Sequence, residues 1–596
     1  MTNSSKALQI KALGAAAVLA AVAVTAAAAP KTSAFHWETV VNNNDFVPGS
    51  DRYFNSYNQP SVNSRGMVVF RARSTGHAQG PLSGIFRRDV SGRDRAIQTI
   101  ASRSTVVPGP NNTCYPQGGG QDATDCPPEG SGQFSTFNEF PSFPRVALNR
   151  DFAATRGNSQ PVWTYTPEGG SETRVGTSGV YLHTDGNQLL PGATQLGSVP
   201  GYCIYQVPGI DALGTRFDQF PGAPAVTDNG VVVFKGNYAD NGVASTGVFF
   251  RDVLAGDVPV QLIAHSVTNI PGSDTPFGST APPSAAEGRV VFVGVDNEEL
   301  PSKGGVYLAP LSENPELTVL AAIGDPVPGV QGQYYSRFGE GLSFDGRFVS
   351  CWATGGGASN TLRLYCPEEG NRDRREFCTN RGMFADGSGD ANSICNDTTD
   401  DSDSCYQVLQ VPANQGIFVH DTRTGETVQV ARTGDVYDDF LYWNYSGAPP
   451  GGSHGGGHGE SGDDREPPRW RSSAFAAVTS NGSARWVVWK ARNGVIGVND
   501  QYENPVDGIY LHKSPGRGSV TTVVDTQTPG TVLDGEAPAG SVVTEIGLER
   551  DGMRSSLLVI NASMTVPPTE GAVQQAEEEE GHEDEDMAGI YLTRVR

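Results

Sequence analysis

A three-residue phrase recurs along this chain and limits its fold more than any other feature. Each copy is a glycine, then isoleucine or valine, then phenylalanine or tyrosine. Seven copies begin at Gly84, Gly179, Gly247, Gly305, Gly416, Gly508 and Gly589. Self-similarity at a spacing of tens of residues is typical of repeat architectures, in which each unit packs only on its neighbours.

A second phrase, a turn followed by an apolar strand, precedes each glycine phrase. Its clearest copies are PSVNSRGMVVFRA (60–72), PAVTDNGVVVFKG (224–236) and PSAAEGRVVFVG (283–294). Asn-Gly and Glu-Gly suit tight turns, and the β-branched and aromatic residues after them suit strands. A third apolar run, ending near a Pro-Gly turn, follows the glycine phrase. The three phrases together predict about four short strands in each unit. The pattern therefore predicts an all-β fold.

The two ends of the chain complement each other. After the seventh glycine phrase the sequence stops at Arg596 without a third run, whereas WETVVNNNDFVPGS (37–50) supplies such a run before the first unit. Pairing these segments completes the seventh unit and leaves no open sheet edge. We predict a single seven-bladed β-propeller closed by N-terminal and C-terminal strands. An open β-solenoid is the alternative, but it needs no complementary ends.

Wider spacing between some phrases indicates insertions in a propeller that covers residues 30–596. We place inserts at about 110–133, 193–214, 354–410, 443–470 and 566–586. Insertions in repeat proteins map to loops, often on a binding face.

The first 29 residues have the pattern of a signal peptide. Lys6 and Lys11 are followed by an apolar stretch at 12–24 and by small residues at 25–29. An uncleaved anchor is less favoured, because the apolar run is short and rich in alanine for a membrane span. No later segment is apolar enough to cross a bilayer. We expect an exported protein that is periplasmic, at the cell surface or extracellular.

Charge and cysteine content narrow the possible partners. The formal net charge is −24, and so acidic a surface repels phosphate backbones and argues against nucleic acid as a partner. The cysteine count is 8, an even number that favours disulfide bonds in an exported chain, and zinc is disfavoured because CxxC spacing is absent. We expect a monomer.

The strand phrases at 60–72 and 224–236 resemble the exported bacterial "NxxGxxxF" tandem-repeat proteins, which have propeller-like repeats. The segment DDFLYWNYSGAPPGG…EPPRWRSSAFAAV (438–478) is similar to one found in a subgroup of them. The resemblance covers the repeats of residues 30–596. It implies a bacterial envelope or extracellular setting, and it assigns no catalytic residue.

An aromatic and acidic block interrupts the repeat pattern after the fifth glycine phrase. It contains Asp438, Asp439, Tyr442, Trp443, Tyr445, Trp470 and Arg471. Flat rings beside carboxylates suit recognition of a glycan, a peptide or another envelope surface partner, because rings offer contact area at low entropic cost. The alternative is that these rings pack the Gly/Pro-rich insert onto the blades.

An Asp-rich stretch within the insert at 354–410 is a candidate metal site. Asp386, Asp390 and Asn392 alternate with other residues on a predicted turn, and such oxygen ligands suit Ca²⁺. A solvated, disulfide-tethered loop is the competing interpretation. No other cofactor is predicted.

Recognisable catalytic sets are absent from the sequence: there is no GxSxG elbow, no HExxH and no P-loop. Three histidines, His183, His420 and His512, occupy equivalent places after their glycine phrases. We therefore expect a non-catalytic binding propeller. The alternatives are a hydrolase or lyase acting on polysaccharide through carboxylates in the central channel, and a passive structural component of the envelope. Ionisable groups on the ring axis would favour the enzyme, and an aromatic patch with a plugged channel would favour the binding module.

Overall fold

The structure is a computed structural model that describes most of the chain after residue 34. The described residues are 35–76, 80–92, 95–112, 135–159, 163–165, 173–175, 177–199, 201–210, 214–367, 372–379, 394–395, 405–447, 467–482, 484–514, 520–567 and 586–595. The predicted signal peptide at 1–29 lies outside them. None of the helices in these ranges is long and apolar enough to span a membrane.

Seven antiparallel sheets form seven blades of one propeller, and the first strand of the chain belongs to the last blade. Strand β1 (Trp37–Asn42) is antiparallel to the C-terminal strand, with Trp37 opposite Thr593 and Asn42 opposite Gly589. Val40 and Val41 of β1 are fully buried. The predicted closure of the ring by its two terminal strands is confirmed.

Each blade has four strand positions, A to D, in chain order, and position A is often split into two short strands. Blade 1 consists of β2 (Phe54–Tyr57), β3 (Ser61–Val62), β4 (Met67–Ser74), β5 (Ser83–Asp89) and β6 (Gln98–Ser102). Blade 2 and its inserted hairpin consist of β7 (Phe137–Glu139), β8 (Arg145–Val146), β9 (Ala153–Ser159), the hairpin strands β10 (Trp163–Tyr165) and β11 (Thr173–Val175), β12 (Gly179–His183) and β13 (Leu189–Thr194).

The next blades repeat this order. Blade 3 consists of β14 (Ala225–Val226), β15 (Val231–Asp240), β16 (Val243–Asp252) and β17 (Gln261–His265). Blade 4 consists of β18 (Ser279–Thr280), β19 (Ser284–Ala286), β20 (Arg289–Val295), β21 (Gly304–Pro310) and β22 (Thr318–Ala322). Short 3₁₀ helices occur at Gln195–Ser198, Cys203–Tyr205 and Val253–Ala255.

Blade 5 carries a large insert between its B and C positions. The blade and insert consist of β23 (Tyr335–Phe338), β24 (Ser343–Phe344), β25 (Phe348–Gly355), the insert elements β26 (Ser359–Tyr365), α1 (Arg372–Thr379), β27 (Ile394–Cys395) and β28 (Cys405–Pro412), then β29 (Gln415–Asp421) and β30 (Glu426–Arg432). A disulfide bond joins Cys366 to Cys378 within the insert, whereas Cys203 and Cys351 are free thiols.

A hairpin separates blade 5 from the last two blades. It consists of β31 (Tyr442–Ser446) and β32 (Arg469–Ser473). Blade 6 consists of β33 (Ala476–Asn481), β34 (Ala484–Asn493), β35 (Val506–Ser514) and β36 (Thr521–Asp525). The short helix α2 (Gly530–Leu533) precedes blade 7. Blade 7 itself consists of β37 (Val542–Gly547), β38 (Met553–Arg554), β39 (Leu557–Thr565), β40 (Asp586–Arg594) and β1.

The A positions form the innermost circle of the ring. Each contacts its two neighbours in a closed order, which is β3, β8, β14, β19, β24, β33, β38 and back to β3. Apolar side chains fill the space between successive blades; Val41 of blade 7, for example, belongs to one buried cluster with Phe70 and Phe86 of blade 1. Each blade thus buries its faces against its neighbours, as repeat architectures require.

The recurrent glycine phrase lies on strand C of every blade. Its aromatic residue packs edge to face against a second ring from position A or the connection before it. In blades 1 to 6 the ring centroids are 4.7 to 5.2 Å apart, in the pairs Phe54–Phe86, Phe137–Tyr181, Phe217–Phe249, Phe277–Tyr307, Tyr335–Phe418 and Tyr437–Tyr510. This is the geometry that aromatic pairs prefer.

The glycine of the phrase is required by close packing. A Cβ atom at Gly247 would lie 2.7 Å from the ring of Phe249 and 2.8 Å from the Cβ of His265, and at Gly589 it would meet the carbonyl oxygen of Val41 at 2.7 Å. In each blade the pairing of strands C and D shifts register beside the phrase, as a β-bulge does. The recurrent phrase therefore corresponds to the same local structure in every blade, a glycine of strand C beside a β-bulge.

The strands that flank the long insertions all place the start and end of the insertion on one side of the ring. Because strands A to D alternate in direction, the B–C and D–A connections lie at one face, which we name the insert face, and the A–B and C–D connections lie at the other. The predicted inserts at 110–133, 193–214 and 443–470 are D–A connections, and those at 354–410 and 566–586 are B–C connections. Thr194, within the second of these ranges, is still part of strand D.

Candidate functional site

The axis of the ring is filled by side chains that cross it. Arg145, in blade 2, donates hydrogen bonds to the carbonyl oxygen of Pro283 at 2.9 Å and to Ser284 Oγ at 3.1 Å in blade 4. It also forms an ion pair with Asp551 of blade 7. Blades 4 and 7 lie on opposite sides of blade 2, two positions away, so this side chain reaches through the centre of the ring.

A second arginine shares the same carboxylate. Arg554 pairs with Asp551 and donates a hydrogen bond to the carbonyl oxygen of Val478 at 3.3 Å in blade 6. Arg145, Asp551 and Arg554 are 1%, 4% and 3% exposed. Burial alone would raise the pKa of Asp551, but the two guanidinium groups outweigh it and hold that pKa below the usual aspartate range. We name these three residues the axial cluster.

Above the axial cluster, on the insert face, lies a cavity of about 210 Å³ that we name the axial funnel. Its walls come from residues at or just before the innermost strands β8, β14, β19, β24, β33 and β38 of six blades: 141–143, 222–223, 282, 340–341, 473–476 and 549–550. Arg550 crosses from blade 7 to donate a hydrogen bond to the carbonyl oxygen of Pro282 at 3.1 Å in blade 4. The funnel therefore opens on the insert face and is closed towards the axis.

A larger cavity of about 390 Å³ continues from the funnel, and we name it the aromatic groove. Glu340, Ser473 and Ala474 line both cavities. The rings and charged side chains of the groove are Phe338, Trp352, Trp443, Trp470, Glu298, Glu299, Glu340, Arg337, Arg469 and Arg471. Its volume lies within the range of roughly 300–1,000 Å³ that is usual for ligand sites.

Most of the carboxylates of the groove are held by neighbouring cations. Arg469 forms ion pairs with Glu298 and, at 3.3 Å, with Glu299. Burial would raise the pKa of Glu298, but Lys235 and Arg469 outweigh this and lower it below the usual glutamate value. Among the described residues, the exposed carboxylate of Glu340 has neither an ion pair nor a hydrogen bond.

Four of the seven predicted ligand residues hold the β31–β32 hairpin in place. Asp439, which is 1% exposed, accepts hydrogen bonds from Gln415 Nε2 at 2.7 Å and from the backbone N–H of Leu441 at 2.9 Å. Burial raises its pKa. Asp438 accepts a hydrogen bond from the backbone N–H of Gly494 at 2.8 Å.

The two predicted tyrosines, Tyr442 and Tyr445, also hold the hairpin in place through contacts with neighbouring residues. The ammonium of Lys490 lies 3.7 Å from the ring centroid of Tyr442, and burial lowers the pKa of Lys490 to about 8. Tyr445 is buried with Cys366 and Cys378 and packs on Trp470 at a centroid distance of 5.4 Å. These contacts fit the alternative stated for the block, in which its rings pack the insert onto the blades.

The other three predicted residues, Trp443, Trp470 and Arg471, line the aromatic groove and are half-buried. Trp443 and Trp470 lie on the same face of the hairpin, because Trp443 pairs with Ser472 and Tyr445 with Trp470, whereas Arg471, opposite Asn444, lies on the other face. In the described part of the chain, the indole Nε1 of neither Trp443 nor Trp470 has a hydrogen-bond partner. The hairpin therefore contributes two tryptophans from one face to the lining of the groove, which also includes Arg471.

The predicted calcium ligands Asp386, Asp390 and Asn392 lie outside the described residues. Within the described ranges no group of three or more histidine, cysteine, aspartate or glutamate residues could hold a metal ion. His183, His420 and His512 each lie in the second half of a strand C, at the same distance from the glycine of the phrase.

Several residues of the site escaped the sequence analysis. Trp352, Glu298 and Glu340 lie in ordinary repeat segments and come together only in the folded ring. Arg145 had a detectable signal: it occupies the place after proline where the phrases at 60–62 and 224–226 have serine and alanine. A large cation at a position that is otherwise small indicates a side chain with a special role in the centre.

Comparison with known proteins gives distant structural likenesses only. No family model matches it, and neither does a curated protein. Among solved structures, it is similar to an oligogalacturonate lyase in complex with manganese (9% identity, 94% of this chain and 96% of that chain, TM-score 0.36). It is also similar to a Trypanosoma rangeli sialidase with the inhibitor DANA (10%, 81% and 60%, 0.33) and to a Pseudomonas aeruginosa periplasmic gluconolactonase (13%, 79% and 95%, 0.24). With TM-scores this low the likenesses carry no functional argument, and the chain is a seven-bladed β-propeller on the geometry of its own sheets.

Proposed function

We propose that this protein is an exported recognition module that binds neutral oligosaccharides in the aromatic groove and does not transform them. The observation that carries the proposal is the convergence of Trp443 and Trp470 on one open cavity of the insert face. Indole faces suit the apolar faces of sugar rings, and the polar groups beside them suit hydroxyl groups.

The state of the buried acids favours binding over catalysis. A glycosidase needs a carboxylic acid that stays protonated, with a second carboxylate across the substrate. Three ionisable side chains do meet on the axis, an arrangement named above as favouring an enzyme, but they are two arginines and one carboxylate. That carboxylate, Asp551, and Glu298 in the groove both have lowered pKa values and arginine partners. Asp439 has a raised pKa, but it is enclosed beneath the hairpin by Gln415 and Leu441.

Titration of the purified protein with soluble neutral hexasaccharides tests the proposal. The panel is cellohexaose, xylohexaose, mannohexaose and maltohexaose, followed by calorimetry and tryptophan fluorescence. At least one should bind, and Trp443→Ala and Trp470→Ala should each weaken it about tenfold, which corresponds to ~1.4 kcal/mol. Tyr334→Ala is the matched control, since Tyr334 is an exposed ring (55%) outside the groove.

Two results would overturn the proposal. The first is that no hexasaccharide of the panel binds, or that both tryptophan variants bind as well as the parent. The second is that the bound sugar is cleaved into shorter products and that Glu340→Gln stops the cleavage, which would establish the polysaccharide hydrolase or lyase instead.

A further inference from the structure

We propose that the Cys366–Cys378 disulfide bond positions Trp470 in the aromatic groove, so that binding of sugars depends on the insert of blade 5. This insert comprises the elements β26 to β28. The inference rests on the proposed function and adds the part of the molecule that supports one of its two indole rings. It follows from a continuous set of contacts between the disulfide bond and the groove.

The disulfide bond ties a short helix to the sheet of the insert. Cys366 directly follows β26, and Cys378 lies near the end of α1. Both are buried, with 8% and 0% exposure. The helix has only 8 residues, and helices shorter than about 12 residues are marginal in water without tertiary contacts. The covalent link to β26 therefore holds α1 in place.

The two cysteines belong to a small buried cluster. Cys405, at the start of β28, is also disulfide-bonded, and its carbonyl oxygen accepts a hydrogen bond from the backbone N–H of Cys366 at 2.8 Å. These three residues pack together with Tyr445 of the hairpin strand β31. We name Cys366, Cys378, Cys405 and Tyr445 the cystine cluster. It joins the insert to the β31–β32 hairpin.

Trp470 contacts both the cystine cluster and the groove. Tyr445 lies directly opposite it in the β31–β32 ladder, and the centroids of the two rings are 5.4 Å apart. Trp470 packs against the cystine cluster and lines the groove. A binding residue keeps its geometry only while the residues packed against it keep theirs. Displacement of the cluster should therefore displace Trp470.

A hydrogen bond links the helix to the hairpin a second time. Arg374 Nε of α1 donates to the carbonyl oxygen of Gly447 at 3.2 Å, directly after β31. The helix that the disulfide bond holds thus contacts the end of the strand that carries Tyr445. Loss of the bond should loosen both contacts.

The other indole ring of the groove has different support. Trp443 packs against a cluster that includes Val487 and Trp489 of blade 6 and, among the described residues, no cysteine. The strands of the insert form a sheet of their own, beside the sheet of blade 5. Loss of the disulfide bond should therefore affect Trp470 more than Trp443 or the blades.

Replacement of both cysteines tests the inference. The double variant Cys366→Ala/Cys378→Ala should bind the best hexasaccharide about three- to tenfold more weakly, and at most as weakly as Trp470→Ala does. Cys203→Ala, at an exposed free thiol outside the insert, is the control and should bind as the parent does. Binding is measured by calorimetry, and circular dichroism shows whether the blades remain folded.

A double-mutant cycle shows whether the disulfide bond acts through Trp470. In a Trp470→Ala background the cysteine replacement should weaken binding less than about twofold further, because the ring that it positions is gone. In a Trp443→Ala background it should weaken binding by about the same factor as in the parent. Equal factors in both backgrounds would contradict the assignment to Trp470.

The fluorescence of Trp470 provides a measurement that needs no sugar. The difference between the emission spectra of the parent and Trp470→Ala isolates this indole among the 7 tryptophans. The same difference, measured in the double cysteine variant, should lie at longer wavelength, as indole emission does when the ring gains contact with water. An unchanged difference spectrum would overturn the inference.

The outcomes separate this inference from the function on which it rests. If both tryptophan variants weaken binding and the cysteine variant does not, the groove binds sugars but the disulfide bond does not position Trp470. If no neutral sugar binds, the proposed function fails, and the emission of Trp470 still shows whether the bond positions the ring. A cysteine variant that fails to fold would contradict the inference, because the bond would then support the blades.

Discussion

At the scale of single residues, the centre of this propeller depends on a few ionisable groups that a hydrophobic core would not contain. Asp551 is the central residue of the axial cluster, because both Arg145 and Arg554 form ion pairs with its carboxylate. A buried charge is stabilised only while its partners remain, and removing one partner leaves the others unpaired in a place that water does not reach.

Replacing Asp551 should therefore be severe. Asp551→Ala leaves two buried guanidinium groups without their counterion and should lower the free energy of unfolding by about 3–5 kcal/mol, measured by urea denaturation. Asp435→Ala removes an acid of similar type from a surface ion pair with Arg432, whose side chains are 45% and 55% exposed, and should cost less than ~1 kcal/mol. Equal losses in the two variants would show that the axial cluster has no special role.

Buried histidines should make the protein sensitive to mild acid. Burial lowers the pKa of His183 to about 4 and also lowers the pKa values of His265, His420 and His512. The unfolded chain binds these protons near pH 6.5 and the folded chain does not, so stability falls as the pH drops from about 6.5 towards 4. For His183 alone the loss amounts to about 3 kcal/mol at the lower limit.

Urea denaturation at a series of pH values measures this effect. His183→Gln removes the titrating group and should flatten the dependence of stability on pH between 6.5 and 4. His36→Gln, at an exposed histidine, is the control and should leave the slope as it is in the parent. A slope that is the same in His183→Gln as in the parent contradicts the assignment to His183.

At the scale of the element, the blade is built around the glycine phrase. The phrase joins three features of strand C: a glycine without room for a side chain, a buried aliphatic residue, and an aromatic ring that in blades 1 to 6 packs edge to face on a second ring. The sequence was sufficient to find the phrase seven times, but it could not explain the glycine. That explanation needs the β-bulge in the pairing of strands C and D and the position of the aromatic ring of strand C. Both are formed only in the folded blade.

A methyl group added to this glycine should strain the blade. Gly247→Ala places a Cβ 2.7 Å from the ring of Phe249 and 2.8 Å from the Cβ of His265, and overpacking of this kind costs about 1–3 kcal/mol. Gly357→Ala is the control, since a Cβ there meets no atom within 4 Å. Thermal unfolding followed by circular dichroism should show a lower midpoint for the first variant only.

At the scale of the whole molecule, the ring is closed by segments that are far apart in sequence. The seven blades and the pairing of β1 with β40 were predictable, because repeats and complementary ends can be read from residue order alone. The axial cluster and the aromatic groove were not, since their members lie hundreds of residues apart: Arg145 meets Asp551, and Glu298 meets Arg469. The candidate site is thus a product of ring closure, and only the Trp443 and Trp470 segment signalled it in the sequence.

Closure predicts that the ends of the chain can be moved. Trp37 lies opposite Thr593, so a short Asn-Gly turn can link β40 to β1, and new ends can be opened at the exposed Gly256 between β16 and β17. This circular permutant should fold, with a circular dichroism spectrum and a sedimentation profile like those of the parent. A control permutant with its ends between Gly236 and Asn237, inside β15, should not fold. Failure of the first permutant would mean that residues 35–44 do more than complete blade 7.

Because the long insertions are confined to the insert face, evolution can alter that face of the propeller without altering the blades. Short turns at the far side fix the spacing of the blades, whereas a connection on the insert face can lengthen at little entropic cost and without touching a strand. Homologues that share this ring can therefore acquire different binding specificities through changes in these loops, while the blades stay the same. Their differences in length should fall almost entirely on that side.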